Sequence, residues 1–280
     1  ATEPALRVSR NREGETLVYA YVAETDDRHD LDRIMEANPA SWVTRSYIKR
    51  QVASPEIRDW QLLQYHANVW STREDTWLPP KAWEKCRDST VDVTDKFPLV
   101  LGFDGSYNGD STALVGVMLR PDEKPHVFLV DVWERPAKAR TEWVVPRDEV
   151  RDTVEHWMRN FNVVELACDP PGWNDTIDGW EELYGSPPVV LFHTNQPSKM
   201  APASSRFYSA VVNEGVTHDG SSVLAKHIGN AVVRETPNGA VLVKDGRTSP
   251  RKIDAAVAAV VAYERSSGVH SGGDVGVMWG

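Results

Sequence analysis

Cysteine is scarce in this sequence, since its 280 residues contain only Cys86 and Cys168 and no C-x-x-C pair. Neither a disulfide framework nor a cysteine zinc site is therefore expected, and a reducing cytosol fits best. Long apolar runs are also missing: no window approaches about 18 consecutive apolar residues, so no membrane span is expected. The first residues show no charged segment followed by an apolar one, which argues against a secretory signal.

Positive charge is in deficit. The chain has 31 Lys and Arg against 41 Asp and Glu, a formal charge of −10 at pH 7. This charge argues against tight, non-specific binding of nucleic acid by the whole surface, although it is compatible with a local basic groove. The sequence also lacks a Gly-x-x-x-x-Gly-Lys-Ser/Thr loop, so we expect no nucleotide hydrolysis by the P-loop route.

Tryptophan is abundant, with eleven in the chain. Five of them fall in the first third and predict a small aromatic-rich subdomain there: Trp42, Trp60, Trp70, Trp77 and Trp83. Residues 1–90 otherwise lack a complete domain pattern and are predicted to be partly helical. The patterns that follow predict one α/β domain over 91–265, and the Gly- and Ser-rich residues 266–280 are typical of a flexible tail.

The stretch 97–118 combines a strand, a carboxylate and a tight turn. Apolar residues over 99–103 are bounded by Pro98 and Gly105, which is typical of a central sheet strand. Asp104 therefore lies where this strand ends, before a Gly-rich loop and a second strand. A carboxylate at the edge of a rigid sheet is well placed to hold a cation or a phosphate. The alternative is that Asp104 only closes a hairpin loop.

Further patterns extend this strand into a sheet. We predict an α/β fold with a mixed five-stranded sheet, in which a three-strand antiparallel meander is joined by parallel strands and flanked by helices. The later strands are predicted over 111–119, 127–133, 163–168 and 189–192. Helices are predicted over 148–161, 201–213 and 222–230 and from Ser249-Pro250 onward, with an added β-hairpin over 232–243 and a helical amino-terminal segment. His218 and Asp219 fit a plain turn.

Three aspartates share a placement at the ends of elements: Asp104 after the first strand, Asp169 after the fourth, and Asp254 in the first turns of the last helix. If the first and fourth strands are adjacent and parallel, Asp104 and Asp169 leave the sheet side by side. Alanines that follow Asp254 would let its helix approach that edge closely. Taken alone, Asp169 can instead start a Pro-Pro turn, and the helix dipole can favour Asp254 in a first turn.

Converging carboxylates repel one another unless cations neutralise them. Sites made only of oxygen ligands select Mg²⁺ or Mn²⁺. Two such ions about 3.5–4 Å apart promote in-line attack on a phosphodiester. If they converge, the three aspartates therefore suit a two-metal phosphodiesterase.

The order of four segments then resembles a known family. GFDGSYNGDSTAL, VVELACDPPGW, RFYSAVVNEGVTHDGSSVLAKHIGNA and SPRKIDAAVAAVVAYE resemble, over about residues 97–265, the ribonuclease H-like nuclease domain of the large terminase subunit of tailed phages. Upstream, EANPASWVT and SPEIRDWQLLQYHANVW look like the segment that joins the terminase ATPase to its nuclease. The resemblance therefore implies that residues 1–90 are a remnant of the ATPase domain and linker, in a carboxy-terminal fragment of a longer protein.

The resemblance also implies roles for particular residues. It places the catalytic metal ligands at Asp104, Asp169 and Asp254, with Asp110 behind them as a supporting acid. His227 matches a recurrent histidine of the family and is an auxiliary residue, with a hydrogen-bonded packing role as the alternative. Basic residues of the last third form a predicted phosphate-contacting rim, or alternatively only solvated charges: Lys199, Arg206, Lys226, Lys244, Arg247, Arg251 and Lys252.

The expected function is endonucleolytic cleavage of concatemeric duplex DNA during phage packaging, with two Mg²⁺ or Mn²⁺ ions. The expected partners are double-stranded DNA, the portal protein and the small terminase subunit, in the host cytoplasm and transiently on the procapsid portal. Three alternatives remain: a resolvase or transposase of the same fold, an actin-like or sugar-kinase ATPase suggested by GFDGS alone, and a non-catalytic docking module for the portal or small subunit. The ATPase would need a second Asp-Gly phosphate loop, and none is evident.

Overall fold

The computed structural model describes residues 6–10, 17–23, 25, 27, 29–53, 59–68, 76–106, 111–121, 123–136, 143–246 and 249–271. The chain divides into two compact units, residues 1–75 and 76–280. Residues 76–90, which the sequence analysis grouped with the first region, pack with the second unit through Trp77 and Trp83. No helix in the described part of the chain is long and apolar enough to cross a membrane.

In its described residues, the first unit contains a hairpin and three short helices. Strands β1 (Leu6–Arg10) and β2 (Leu17–Tyr21) pair antiparallel, and helices α1 (Leu31–Glu36), α2 (Arg45–Ala53) and α3 (Asp59–His66) follow. Ile34, Ile48 and Leu62 form its buried core. The aromatic-rich subdomain stays a prediction, because Trp70 and the side chain of Trp60 lie outside the described residues. Of the other three tryptophans, Trp42 is 82% exposed, and Trp77 and Trp83 are buried in the second unit.

The second unit is built on a six-stranded sheet in the order β7-β6-β3-β4-β5-β8. Its strands are β3 (Leu99–Asp104), β4 (Thr112–Met118), β5 (His126–Trp133), β6 (Val163–Cys168), β7 (Val189–Leu191) and β8 (Thr217–His218). The antiparallel meander β3-β4-β5 carries parallel strands on both sides. A separate hairpin consists of β9 (Val232–Thr236) and β10 (Gly239–Val243). The predicted mixed α/β fold is confirmed.

Helices cover both faces of this sheet. They are α4 (Ala82–Lys85), α5 (Arg147–Asn160), α6 (Asn174–Tyr184), α7 (Pro197–Val212), α8 (Ser222–Asn230) and α9 (Asp254–Ser271). Because side chains alternate along a strand, β3 buries Leu99, Leu101 and Phe103 among residues of α5 and α6. Gly102 points the other way, and a Cβ built on it would lie 2.2 Å from the Ala258 carbonyl oxygen of α9. The backbones of β3 and α9 therefore meet without an intervening side chain.

Three local expectations differ from the structure. β8 adds a sixth strand, so His218 is not in a plain turn: it is buried, stacks on Trp83 at 4.0 Å, and contacts the Trp83 carbonyl oxygen at 2.8 Å. Asp219 accepts a hydrogen bond from the Leu129 amide at 2.9 Å, which ties this segment to β5. Helix α6 was not predicted. The last helix begins at Asp254 rather than at Ser249-Pro250.

Candidate metal centre

Two of the predicted ligands lie side by side at one edge of the sheet. β3 and β6 are parallel, with Phe103 beside Cys168, and the Asp169 amide donates to the Phe103 carbonyl oxygen at 2.9 Å. The next residue of β3 is Asp104, which also pairs with Ala113 of β4. The predicted adjacency of the first and fourth strands is thus observed, and both aspartates leave the sheet at the same end.

Helix α9 brings the third aspartate to this end. Asp254 begins the helix one turn before Ala258, whose carbonyl lies over Gly102. Asp104 follows Gly102 by two residues, so it faces the same side of the sheet as α9. Ser111, which directly precedes β4, donates its hydroxyl hydrogen to the Asp254 carboxylate. This bond fixes Asp254, which is 7% exposed, next to the strand that pairs with Asp104.

The carboxylate of Asp169 is buried beside Thr194, which follows β7. It accepts hydrogen bonds from the Thr194 amide at 3.2 Å and from the Thr194 hydroxyl. Burial raises the pKa of Asp169 above its usual value, while the bonds from Thr194 and the nearby His193 act in the opposite direction. Among the described residues Asp169 forms no ion pair, so a cation would relieve the cost of burying its charge.

The donor set suits a hard divalent cation. The side chains at this edge offer carboxylate and hydroxyl oxygens, which are the ligands that Mg²⁺ and Mn²⁺ prefer. Within the described residues, no three His, Cys, Asp or Glu side chains are already close enough to share an ion. The fold therefore gathers the three aspartates at one edge, where Ser111 and Thr194 hold two of them, and joint binding of an ion requires side-chain movement.

Trp173 supports the loop that follows Asp104. Its ring meets Phe103 edge to face at 5.1 Å, and a Cβ on Gly105 would lie 2.4 Å from it. The Arg147 guanidinium lies over the Trp173 ring, 4.4 Å from its centroid. This packing holds the backbone between Asp104 and the loop in one position. Trp173, Ser111 and Thr194 were not predicted to take part in the site, although Trp173 closes the CDPPGW segment and Ser111 is the first residue of a predicted strand.

His227 lies behind the site and is completely buried in α8. Its Nδ1 accepts a hydrogen bond from the Ala255 amide at 3.0 Å, and its Nε2 lies 2.5 Å from the Glu134 carboxylate. His227 thus contacts the residue that follows Asp254 and is placed to act on the helix rather than on an ion.

The predicted basic rim is partly engaged in ion pairs. Arg206 forms a two-pronged pair with Glu264, Arg251 lies 3.1 Å from Asp245, and Lys226 lies 3.8 Å from Glu134. Lys199 is exposed on α7, while Lys244 and Lys252 are partly exposed. Asp110 and Arg247 lie outside the described residues. The rim and the role of Asp110 stay predictions.

Comparison with known proteins places the chain beside phage terminases. The family model of the terminase large subunit endonuclease domain matches residues 15–159 and 136–268. The gene 13 proteins of Mycobacterium phages L5 and D29 are 31% and 30% identical to this chain over 245 residues. The aligned part is 80% of this chain but 40% of each relative, so the chain spans about two fifths of their length.

A solved structure shares the fold. The HK97 bacteriophage large terminase superposes with a TM-score of 0.57 over 88% of this chain and 56% of its own length, at 21% sequence identity. At this identity the match concerns the arrangement of helices and strands. The fold that the sequence resemblance implied is confirmed.

Proposed function

We propose, on the premise that this chain belongs to the family of terminase large subunit endonuclease domains, that it is a metal-dependent endonuclease of duplex DNA. The observation that carries the proposal is the backbone bond from Asp169 to Phe103. It sets Asp169 beside Asp104 at the edge where α9 brings Asp254. Three acidic side chains from a sheet and a packed helix are the donor set that two-metal phosphodiester hydrolysis needs.

The residues of the chain hold and orient the metals in this mechanism. Asp104, Asp169 and Asp254 would hold two Mg²⁺ or Mn²⁺ ions, which would supply an activated water and charge stabilisation for the leaving 3′ oxygen. Asp104 is carried by a strand that pairs on both sides, so its position is rigid. The Thr194 and Ser111 hydroxyls orient Asp169 and Asp254 before the ions bind. Because water attacks the phosphorus, no side chain of the protein acts as the nucleophile.

The biological context that we propose follows from the family. The substrate is concatemeric phage DNA, cut at the start and at the end of packaging. The chain acts as part of a large subunit that works with the portal protein and the small terminase subunit. Its place is the host cytoplasm and, transiently, the portal of the procapsid.

Incubation with supercoiled plasmid tests this function. We expect nicked and linear products with Mn²⁺ or Mg²⁺ and none after chelation with EDTA, because the carboxylates alone cannot activate water. The experiment measures product formation on agarose gels against time and metal concentration. Calorimetric titration with Mn²⁺ provides a second readout that does not depend on turnover.

Failure to cleave with either metal, together with no Mn²⁺ binding, would contradict the proposal and favour a docking module for the portal or small subunit. Cleavage confined to branched DNA would favour a resolvase instead. Cleavage that persists in EDTA would show that the chemistry does not need the carboxylate edge.

Reversing the charges beside Asp254 should weaken the binding of DNA. The double variant Arg251→Glu, Lys252→Glu is expected to lower cleavage about tenfold at 100 mM salt, uniformly across DNA sequences, because each phosphate contact contributes a salt-dependent term. The slope of log affinity against log salt should become shallower by about one unit per lost contact. Filter binding and plasmid cleavage at several salt concentrations measure both quantities.

Its matched control is the double variant Arg151→Glu, Arg159→Glu on α5, which packs on the opposite face of the sheet from α9. This variant makes the same change in net charge. Equal losses in both variants would show that only net charge matters, and unchanged cleavage in the first would place the rim elsewhere.

A further inference from the structure

A chain of hydrogen bonds runs from the end of β5 through α8 to the first turn of α9. The Ala255 amide donates to His227 Nδ1 at 3.0 Å, so this nitrogen carries no proton and the ring proton lies on Nε2. Nε2 then donates to Glu134, which directly follows β5, at 2.5 Å. Both nitrogens of a buried imidazole are thus used by polar groups of two other elements.

Ala255 lies in the first turn of α9, directly after Asp254. The first amides of a helix have no acceptor within the helix itself, and His227 provides one for the residue next to Asp254. A second bond from α8 acts on the other side of Asp254, where the Asn230 amide group donates to the Lys252 carbonyl oxygen at 2.9 Å. Helix α8 therefore holds the backbone both before and after Asp254.

Glu134 sets the orientation of the imidazole. A carboxylate that accepts from Nε2 fixes the tautomer and the ring plane, as carboxylates do for histidines that support metal sites. The other carboxylate oxygen of Glu134, Oε2, lies 3.8 Å from Lys226 Nζ. An apolar side chain of similar size at position 227 would fill the same space but would leave the Ala255 amide buried without an acceptor.

We propose that Glu134 and His227 form a positioning pair that fixes the first turn of α9 and thereby the carboxylate of Asp254. This inference rests on the proposed function, since Asp254 matters as a metal ligand. The effect of the pair reaches the chemistry through the Ala255 amide alone.

Four variants separate the two bonds. His227→Gln keeps a polar group near Glu134 but loses the acceptor for Ala255, and His227→Asn keeps that acceptor but no longer reaches Glu134. Glu134→Ala removes the carboxylate, whereas Glu134→Gln keeps an acceptor oxygen for Nε2. Two controls make like changes on exposed positions of other helices: His156→Asn on α5 and Glu182→Gln on α6.

Removing a residue that supports a metal ligand typically lowers metal affinity or activity by about 10- to 100-fold. His227→Gln and Glu134→Ala should lower kcat and Mn²⁺ affinity within this range and leave KM for DNA unchanged. His227→Asn should lose less than His227→Gln, because it keeps the acceptor for the Ala255 amide. Glu134→Gln should stay within about threefold of the parent protein, because it keeps both bonds. Both controls should match the parent protein.

Hydrogen exchange of the metal-free protein gives a readout independent of activity. The Ala255 amide should exchange faster in His227→Gln and Glu134→Ala than in the parent protein and the controls. Faster exchange together with lower Mn²⁺ affinity supports the pair. Unchanged exchange at Ala255, or unchanged Mn²⁺ affinity and kcat, overturns it.

If a His227 variant fails to fold, the test still rests on Glu134, whose side chain is 27% exposed. In that case Glu134→Ala is compared with Glu134→Gln, and equal behaviour of the two overturns the proposal. If the parent protein neither cuts DNA nor binds Mn²⁺, the proposed function fails, while exchange at Ala255 still shows whether the pair holds the helix.

Discussion

Asp169→Asn is expected to lower Mn²⁺-dependent cleavage of DNA at least about 100-fold, the loss typical when one group that stabilises transition-state charge is removed. The amide is neutral and a poor ligand for a divalent cation. Calorimetric titration should show that Mn²⁺ affinity falls together with the rate of plasmid cleavage. Asp104→Asn and Asp254→Asn should behave in the same way, because the fold brings all three aspartates to one edge of the sheet.

The same substitution should raise the melting temperature of the metal-free protein at neutral pH. Burial raises the pKa of Asp169 in the folded state, so the folded protein binds the proton more tightly than the unfolded chain does. The resulting stabilisation is complete below the unfolded pKa and is lost as the pH rises through the folded pKa. At pH 7 the ionised carboxylate therefore destabilises the fold, and a neutral amide removes that effect.

Adding Mn²⁺ should reverse the order of the two melting temperatures, so that the parent protein melts above the Asp169→Asn variant. The reason is that a ligand stabilises only a protein that binds it. Melting curves with and without Mn²⁺ test both statements, and Asp178→Asn, an exposed change on α6, is the matched control. Cleavage at the parental rate would remove Asp169 from the site. A sharp drop in melting temperature without metal would show instead that its carboxylate serves the fold.

Gly102→Ala should destabilise the second unit by about 3 kcal/mol, the upper part of the range for overpacked cores. The new Cβ would lie 2.2 Å from the Ala258 carbonyl oxygen and 2.8 Å from the Ala262 amide nitrogen. Both are backbone atoms of α9, so no side chain can rotate away and the helix itself must shift. For a unit of this size we expect the melting temperature to fall by about 6–12 °C.

The shift should also weaken metal binding, because β3 carries Asp104 and α9 carries Asp254. Gly179→Ala is the matched control: it lies in α6, no atom lies within 4 Å of its added Cβ, and alanine favours the helix. It should leave melting unchanged or raise it slightly. Equal melting of the Gly102→Ala variant and the parent protein would contradict the close contact of α9 with β3.

Local patterns were sufficient to predict the strand ends and most of the helices. The apolar runs before Asp104 and Asp169 marked buried strands, and the helix predicted over 222–230 matches α8 in full. Strand β8 was not predicted, because two residues are too few to show a periodicity. A long connection brings these residues beside β5, with which they pair. Helix α6 was missed although Ile177 and Trp180 recur at helical spacing.

The start of α9 shows how tertiary contacts change a local preference. Ser249-Pro250 is a typical helix start, yet the Ser249 hydroxyl accepts from the Arg251 amide, and Asn230 of α8 holds the Lys252 carbonyl. Residues 249–253 therefore lead into the helix without joining it. The sequence predicted the three aspartates, but not the Ser111, Thr194 and Glu134 contacts near them, because those contacts join residues far apart in the chain.

The delivery of Asp254 by α9, the last helix that the structure describes, has a consequence for protein synthesis. A ribosome makes Asp104 and Asp169 well before it makes α9, and a nascent chain that ends before residue 254 holds only two of the three carboxylates. Residue 102 can pack against residue 258 only after both have left the ribosome. The metal centre that we propose is therefore incomplete until α9 has been made, and we expect chains that end before residue 254 not to cut DNA.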